Sequence, residues 1–124
     1  MTIALEALRC AFTVCKPKVA EWTDRPFHFL SRTDRELSLV CPTEDAPEAC
    51  DAREDGWRGM RVKGSMEFSL VGVLSRLSGA LAAAGIPVFA VSTFDTDYLF
   101  VKAADFDPAL DALRAAGCAA EVNA

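Results

Sequence analysis

Histidine is almost missing from this 124-residue chain, where His28 stands alone. One imidazole cannot supply the paired ligands of a histidine metal site. A lone His between Phe27 and Phe29 is more often structural than a base, and nothing in the sequence sets it beside a Ser or Cys nucleophile with a third, orienting residue. Grouped cations are lacking too. Lys and Arg number 13 against 18 Asp and Glu, for a net charge of −5, and the basic residues are scattered singly. Phosphate backbones are held by clustered Lys and Arg, so nucleic acid is excluded as a partner. Neither GxxxxGKS/T nor GxGxxG occurs. No apolar run reaches the roughly 18 residues that span a bilayer; the stretch from Leu77 to Val91 is broken by Ser78, Gly79, Gly85 and Pro87. Met1 to Val14 lacks the basic start, long apolar run and cleavage site of a signal peptide. These absences predict a cytoplasmic protein with no membrane partner. The five cysteines, Cys10, Cys15, Cys41, Cys50 and Cys118, are odd in number and include no CxxC pair, so no zinc site follows. Cys15, Cys41 and Cys118 lie in or beside apolar runs and are expected as small core residues. No metal or cofactor is expected.

What is present is apolar material. Hydrophobic residues make up 52% of the chain and charged ones 25%, enough for a core without a staple. The chain divides near residue 56. Between Pro42 and Gly56 lie Glu44, Asp45, Glu48, Asp51, Glu54 and Asp55 with two prolines, which predicts a solvated acidic linker with at most a helical turn at Pro47 to Arg53. Beyond it, Met60 to Met66 alternates as a strand does. Leu70, Leu74, Leu77 and Leu81 share one helical face within Ser69 to Ala84, and Gly85 with Pro87 ends that helix. Ile86 to Ser92 is expected as a short buried strand. Thr93 to Asp97 is a polar turn, and Tyr98 to Val101 completes a hairpin. Asp107 is expected to cap a second helix with Pro108 in its first turn. Gly117 ends that helix, and Cys118 to Val122 forms a last strand. The order is β-α-β-β-α-β, an α+β arrangement of ferredoxin-like type with helices on one face of an antiparallel sheet. In the first half, Ala11 to Cys15, Phe27 to Ser31 and Leu37 to Cys41 read as strands. Lys16 to Arg25 reads as a loop and Thr33 to Arg35 as a turn. This half is too small to fold alone. No close internal repeat is evident, yet both halves hold a Ser/Thr-rich hairpin of similar layout.

The stretch from Gly64 to Leu74, the run from Gly85 to Tyr98 with its Ser92-Thr93-Phe94-Asp95-Thr96-Asp97-Tyr98 segment, and the hairpin from Phe29 to Pro42 resemble small bacterial ACT-domain proteins. These are related to the ACT domains of aspartate kinases and of the animal cytosolic arginine sensors. The resemblance implies a regulatory, non-enzymatic protein. Residues 1–56 would be an incomplete ACT-like half and residues 57–124 a complete ACT domain, with an amino acid held between the two. It also implies a homodimer.

The residues offer matching chemistry. An amino acid's carboxylate suits the free N–H groups of a helix start, expected at Phe68, Val71 and Gly72. Its ammonium suits Glu67, Asp95, Asp97 or Glu36, with Ser38, Ser92 and Thr93 adding neutral bonds beside Phe94. Each has a plainer reading as well. Asp95 and Asp97 shape a turn, Glu67 favours the helix dipole, Gly72 permits packing, and Glu36 and Ser38 face solvent. A ligand-free interaction module is therefore the alternative. A hydrolase that holds phosphate through Arg58 and Arg61, with His28, is a third reading.

Overall fold

In the computed structural model, which describes residues 2–63 and 72–122, the longest element is strand β1, Ala4–Pro17. It is followed by β2 (Phe29–Arg32), β3 (Leu37–Pro42), a 3-10 turn at Thr43–Asp45, and β4 (Cys50–Val62). Then come helix α1 (Val73–Ala83), β5 (Phe89–Ser92), β6 (Asp97–Lys102), a 3-10 turn at Ala103–Asp105, helix α2 (Phe106–Ala115) and β7 (Ala119–Val122). Two compact units result. One is built from Met1–Arg9 with Arg58–Ala124, the other from Cys10–Trp57. Strands β1 and β4 each contribute residues to both.

In the larger unit the strand order is β7-β1-β4-β6-β5. A free-standing βαββαβ motif sets its last strand beside its first; here β1 stands between them. It pairs with β7 in parallel, from Ala4 with Ala119 to Ala7 with Val122. Leu5 and Ala7 of β1, Met60 and Val62 of β4, and Leu99 and Val101 of β6 enter one core with Val73, Leu77 and Leu81 of α1 and Phe106, Ala109, Leu110 and Leu113 of α2. Both helices thus cover the same face. Phe100, between Leu99 and Val101, points to the other face and stacks on Phe89 with ring centroids 4.9 Å apart.

The expected helices and hairpins form, with changes at their ends. The start expected for the first helix, and Leu70 with it, lies outside the described residues. Helix α2 begins before Asp107, because the turn at Ala103–Asp105 runs straight into it; Asp105 takes the cap position without a side-chain bond. Asp107 and Pro108 fall within the first turn, where a carboxylate meets the positive end of the helix and a missing N–H leaves no bond unmade. The strand expected as buried, β5, alternates half-buried and exposed residues, because it is the sheet's edge.

In the smaller unit the order is β2-β3-β1-β4, with β1–β3 and β2–β3 antiparallel. The stretch expected as an acidic linker is a strand here from Cys50 onward, and the 3-10 turn sits at Thr43–Asp45 rather than within Pro47 to Arg53. Backbone pairing overrides the composition, since the acidic side chains face solvent and find partners. Asp51 meets Lys18, and Arg53 donates to Asp55 at 2.9 Å. Asp55 also accepts from the fully buried Thr13 hydroxyl at 2.6 Å, while Thr43 Oγ1 lies 2.9 Å from the same hydroxyl. Three elements meet at that one hydroxyl.

Both helices end in the same way. Ile86 N–H donates to Leu81 C=O and Gly85 N–H to Ala82 C=O; Cys118 and Gly117 repeat this on Leu113 and Arg114. Gly85 (φ +74°) and Gly117 (φ +95°) take the left-handed conformation such a cap requires. A Cβ at either site would meet no atom within 4 Å, so only the backbone would object. Gly85→Ala is expected to cost about 1–2 kcal/mol, seen as a lower urea midpoint at unchanged slope. The Thr13 hydroxyl and then Arg53 hold the Asp55 carboxyl below the usual carboxylate range. A lowered folded pKa stabilises the fold above the ordinary carboxylate pKa, and that stability is lost as pH falls through the folded value. Urea titrations from pH 6 down to about pH 2 should therefore fall less steeply for Asp55→Asn than for the wild type.

Candidate functional site

The sequence-derived site residues divide between the two units. Glu67, Phe68 and Val71 lie outside the described residues. Gly72 is exposed, with φ +85°, immediately before α1. Ser92, Thr93, Phe94, Asp95 and Asp97 come together in the β5–β6 turn. Ser92 Oγ donates to Asp97 Oδ1 at 2.6 Å across a strand pair. Thr93 N–H donates to Thr96 C=O at 2.8 Å, and Thr96 Oγ1 donates to Val62 C=O at 2.8 Å. Asp97 is buried, while Thr93, Phe94 and Asp95 are exposed, Phe94 completely. These bonds close the turn, and they engage Asp97 before any ligand arrives.

Glu36 and Ser38 belong to the smaller unit, in a hairpin of the same construction. Thr33 N–H donates to Glu36 C=O at 2.9 Å, and Thr33 Oγ1 accepts from Arg35 and Glu36 N–H. Glu36 is exposed and Ser38 half-buried. The correspondence runs further. Strands Phe29–Arg32 and Leu37–Pro42 and the turn Thr43–Asp45 each recur 60 positions later as Phe89–Ser92, Asp97–Lys102 and Ala103–Asp105. Leu99 and Val101, covered by helices, correspond to Leu39 and Cys41. No helix stands at either corresponding place in the smaller unit. A loop precedes β2 where α1 precedes β5, and the chain passes from the 3-10 turn into β4 where α2 would follow.

Those two segments line a cavity of about 520 Å³, a volume usual for small-molecule sites. The loop before β2 contributes Lys18, Val19, Glu21, Trp22, Thr23, Arg25 and His28; the strands contribute Leu30 and Leu39; the return segment contributes Asp45, Pro47, Glu48 and Ala49. Asp45 is the hub. Its Oδ1 receives Arg25 Nη2 at 2.9 Å, and its Oδ2 lies 3.8 Å from His28 Nε2. His28 Nδ1 lies 3.0 Å from Pro26 C=O. Asp45 and His28 are mostly buried, at 13% and 14% side-chain exposure, while Arg25 is 59% exposed. Phe27 (φ +64°) is left-handed without being glycine, a strained conformation that recurs at functional sites. Its ring packs edge-on against Phe12, 6.1 Å between centroids. Val19, Trp22 and Leu30 leave large apolar surfaces exposed around the cavity.

Sequence reasoning did not single out this cavity. The available signals were a Trp in a polar loop and a His between two Phe residues, but Asp45 was assigned to a linker. The turn that returns Asp45 to the loop has no sequence signature. Arg58 and Arg61 do not form a phosphate loop. Both lie in β4; Arg58 stacks 4.0 Å over Phe106 and donates to Leu8 C=O, and Arg61 pairs with Glu6 at 2.9 Å. Among the described residues, no group of three or more His, Cys, Asp or Glu is placed to hold a metal ion, and no helix is long and apolar enough to cross a membrane.

A family model for the ACT domain matches residues 52–115, just over half of the chain, and the chain belongs to that family. No curated protein sequence matches it. Among solved structures, it is similar to a protein from Agobacterium tumefaciens, with a TM-score of 0.90 and 28% identity over 100% of this chain and 96% of that one. It is also similar in fold to a protein of unknown function from Vibrio cholerae (TM-score 0.69, 20% identity, 94% and 91% covered). The regulatory subunit of aspartate kinase from Thermus thermophilus is similar at a TM-score of 0.59 and 12% identity, with 94% and 97% covered.

The Ser92–Asp97 bond generates a direct test. Ser92→Ala removes a hydrogen bond to a buried carboxylate and is expected to cost about 1.5–3 kcal/mol, measured as a drop in the urea midpoint.

Proposed function

We propose that this protein is a small-molecule-binding regulatory module with no catalytic activity of its own, and that its ligand is an α-amino acid held in the cavity of the smaller unit. The observation that carries the reading is the Arg25–Asp45 pair in the cavity wall. An amino acid needs one cation, one anion and an apolar surface. Arg25, with Lys18 nearby in sequence, offers the first; Asp45 and Glu48 offer the second; Val19, Trp22, Leu30, Leu39 and Pro47 offer the third. Arg25 can take a ligand carboxylate while the ligand ammonium takes the place of its guanidinium on Asp45, so that the buried carboxylate keeps a cation. The aspartate kinase regulatory subunit that shares the fold supports a regulatory role, exercised by a shift between conformations of a partner or a second copy. The edge strands β2 and β5 suit pairing with such a copy in a homodimer. A cytoplasmic location fits the amino acid pools such a module would monitor.

The exposed Phe94 favours a second reading, a ligand-free interaction module with Phe94 as an anchor for a partner protein. A thermal-shift screen against the common amino acids separates the two. A ligand at 100 times its dissociation constant adds about 2.7 kcal/mol and raises the melting point by several degrees. The rise is expected with one or a few amino acids, to be lost in Arg25→Ala and kept in Asp97→Asn. Loss in Asp97→Asn alone moves the site to the β5–β6 turn, and no rise with any amino acid favours the interaction module.

A further inference from the structure

Behind the cavity wall lies a group of thiols that the ligand reading does not use. Cys15 and Cys41 are buried with Leu39, itself a cavity residue, and Ala46 and Cys50 pack against them. Cys15 is buried, and Cys50 packs directly against its cluster. Cys50 Sγ donates to Pro47 C=O at 3.2 Å, so one thiol proton ties Cys50 to the Pro47 end of the segment that lines the cavity. Burial, with Cys50 beside it, pushes the Cys15 thiol up to about 12; burial pushes Cys41 up to about 11. Neither starts a reaction as a thiolate. Cys50 is half-buried, which leaves it as the reachable thiol of the group.

We infer that Cys15 and Cys50 form a reversible dithiol–disulfide couple that reshapes the Pro47–Ala49 wall, with a hydroperoxide as the oxidant. The Cys50 sulfur attacks the peroxide. The O–O bond breaks, Cys50 becomes a sulfenic acid, and one water leaves. The Cys15 sulfur then attacks the Cys50 sulfur, the S–S bond forms, the S–O bond breaks, and a second water leaves. Two thiols and one hydrogen peroxide give one disulfide and two waters. A small-molecule dithiol reverses the step by exchange. Oxidation removes the Cys50 S–H, and with it the bond to Pro47. The link from this couple to ligand control rests on the cavity being the ligand site; the disulfide itself does not.

The test treats purified full-length protein with hydrogen peroxide, alkylates the remaining thiols under denaturing conditions and counts them by intact mass, with peptide mapping of any cross-link. Reduced protein should take five alkyl groups. Oxidised protein should take three and yield a Cys15–Cys50 peptide, as should Cys41→Ser with one fewer group, whereas Cys50→Ser should form no cross-link. Trp22 fluorescence, recorded in a Trp57→Phe background, reports the cavity wall without any ligand. Its emission should shift on oxidation and return with dithiothreitol. Five alkylated thiols after peroxide, a cross-link through another cysteine, or a Cys15–Cys50 disulfide that leaves Trp22 emission unchanged would each overturn the inference. None of these outcomes depends on whether an amino acid binds.

Discussion

Every backbone N–H and C=O of a buried strand must find a partner, and β1 meets much of that demand with three different strands. Near its start it pairs with β7 in parallel; from Phe12 to Cys15 it pairs with β3 in antiparallel fashion; β4 lies alongside it. The other elements follow from this. β7 can close the larger unit only because β1 presents an edge to it, and the Thr13 hydroxyl can bind Asp55 only because β1 and β4 are neighbours. Even the cavity depends on β1, whose last residue, Pro17, forms part of its lining.

The larger unit was largely legible because its signals are local. A leucine every three or four residues and a glycine after the last turn state a helix and its end, and both Gly85 and Gly117 stop their helices by the same pair of backbone bonds. Hairpin β5–β6 was visible for a similar reason, since a Thr-Phe-Asp-Thr turn between apolar runs has local chemistry. What was not local was lost. Nothing in Ala4 to Ala7 announces that these residues pair with Ala119 to Val122 at the far end of the chain. The acidic stretch after Pro42 was assigned by composition, and composition is a poor guide where exposed carboxylates are paired across strands.

The candidate site was illegible for the same physical reason. Arg25, His28 and Asp45 sit in two segments without periodicity, joined in space by a hairpin and a three-residue turn. The β5–β6 turn drew attention instead because its polar residues are consecutive. In the fold those residues are largely occupied with one another. The hairpin likeness between the two halves was visible as a layout; its full extent, position for position at a spacing of 60, needed the strand registers.

That repeat changes how the chain can be divided. A cut in the sequence after Trp57 falls between the two units as they lie along the chain, yet it separates Leu5 and Ala7 from the core they fill and leaves β7 with no strand beside it. The larger unit is a discontinuous assembly, closed only when the first nine residues return to it. The pairing of Ala4 with Ala119 therefore joins residues far apart in the sequence, and long-range contacts of that kind slow folding.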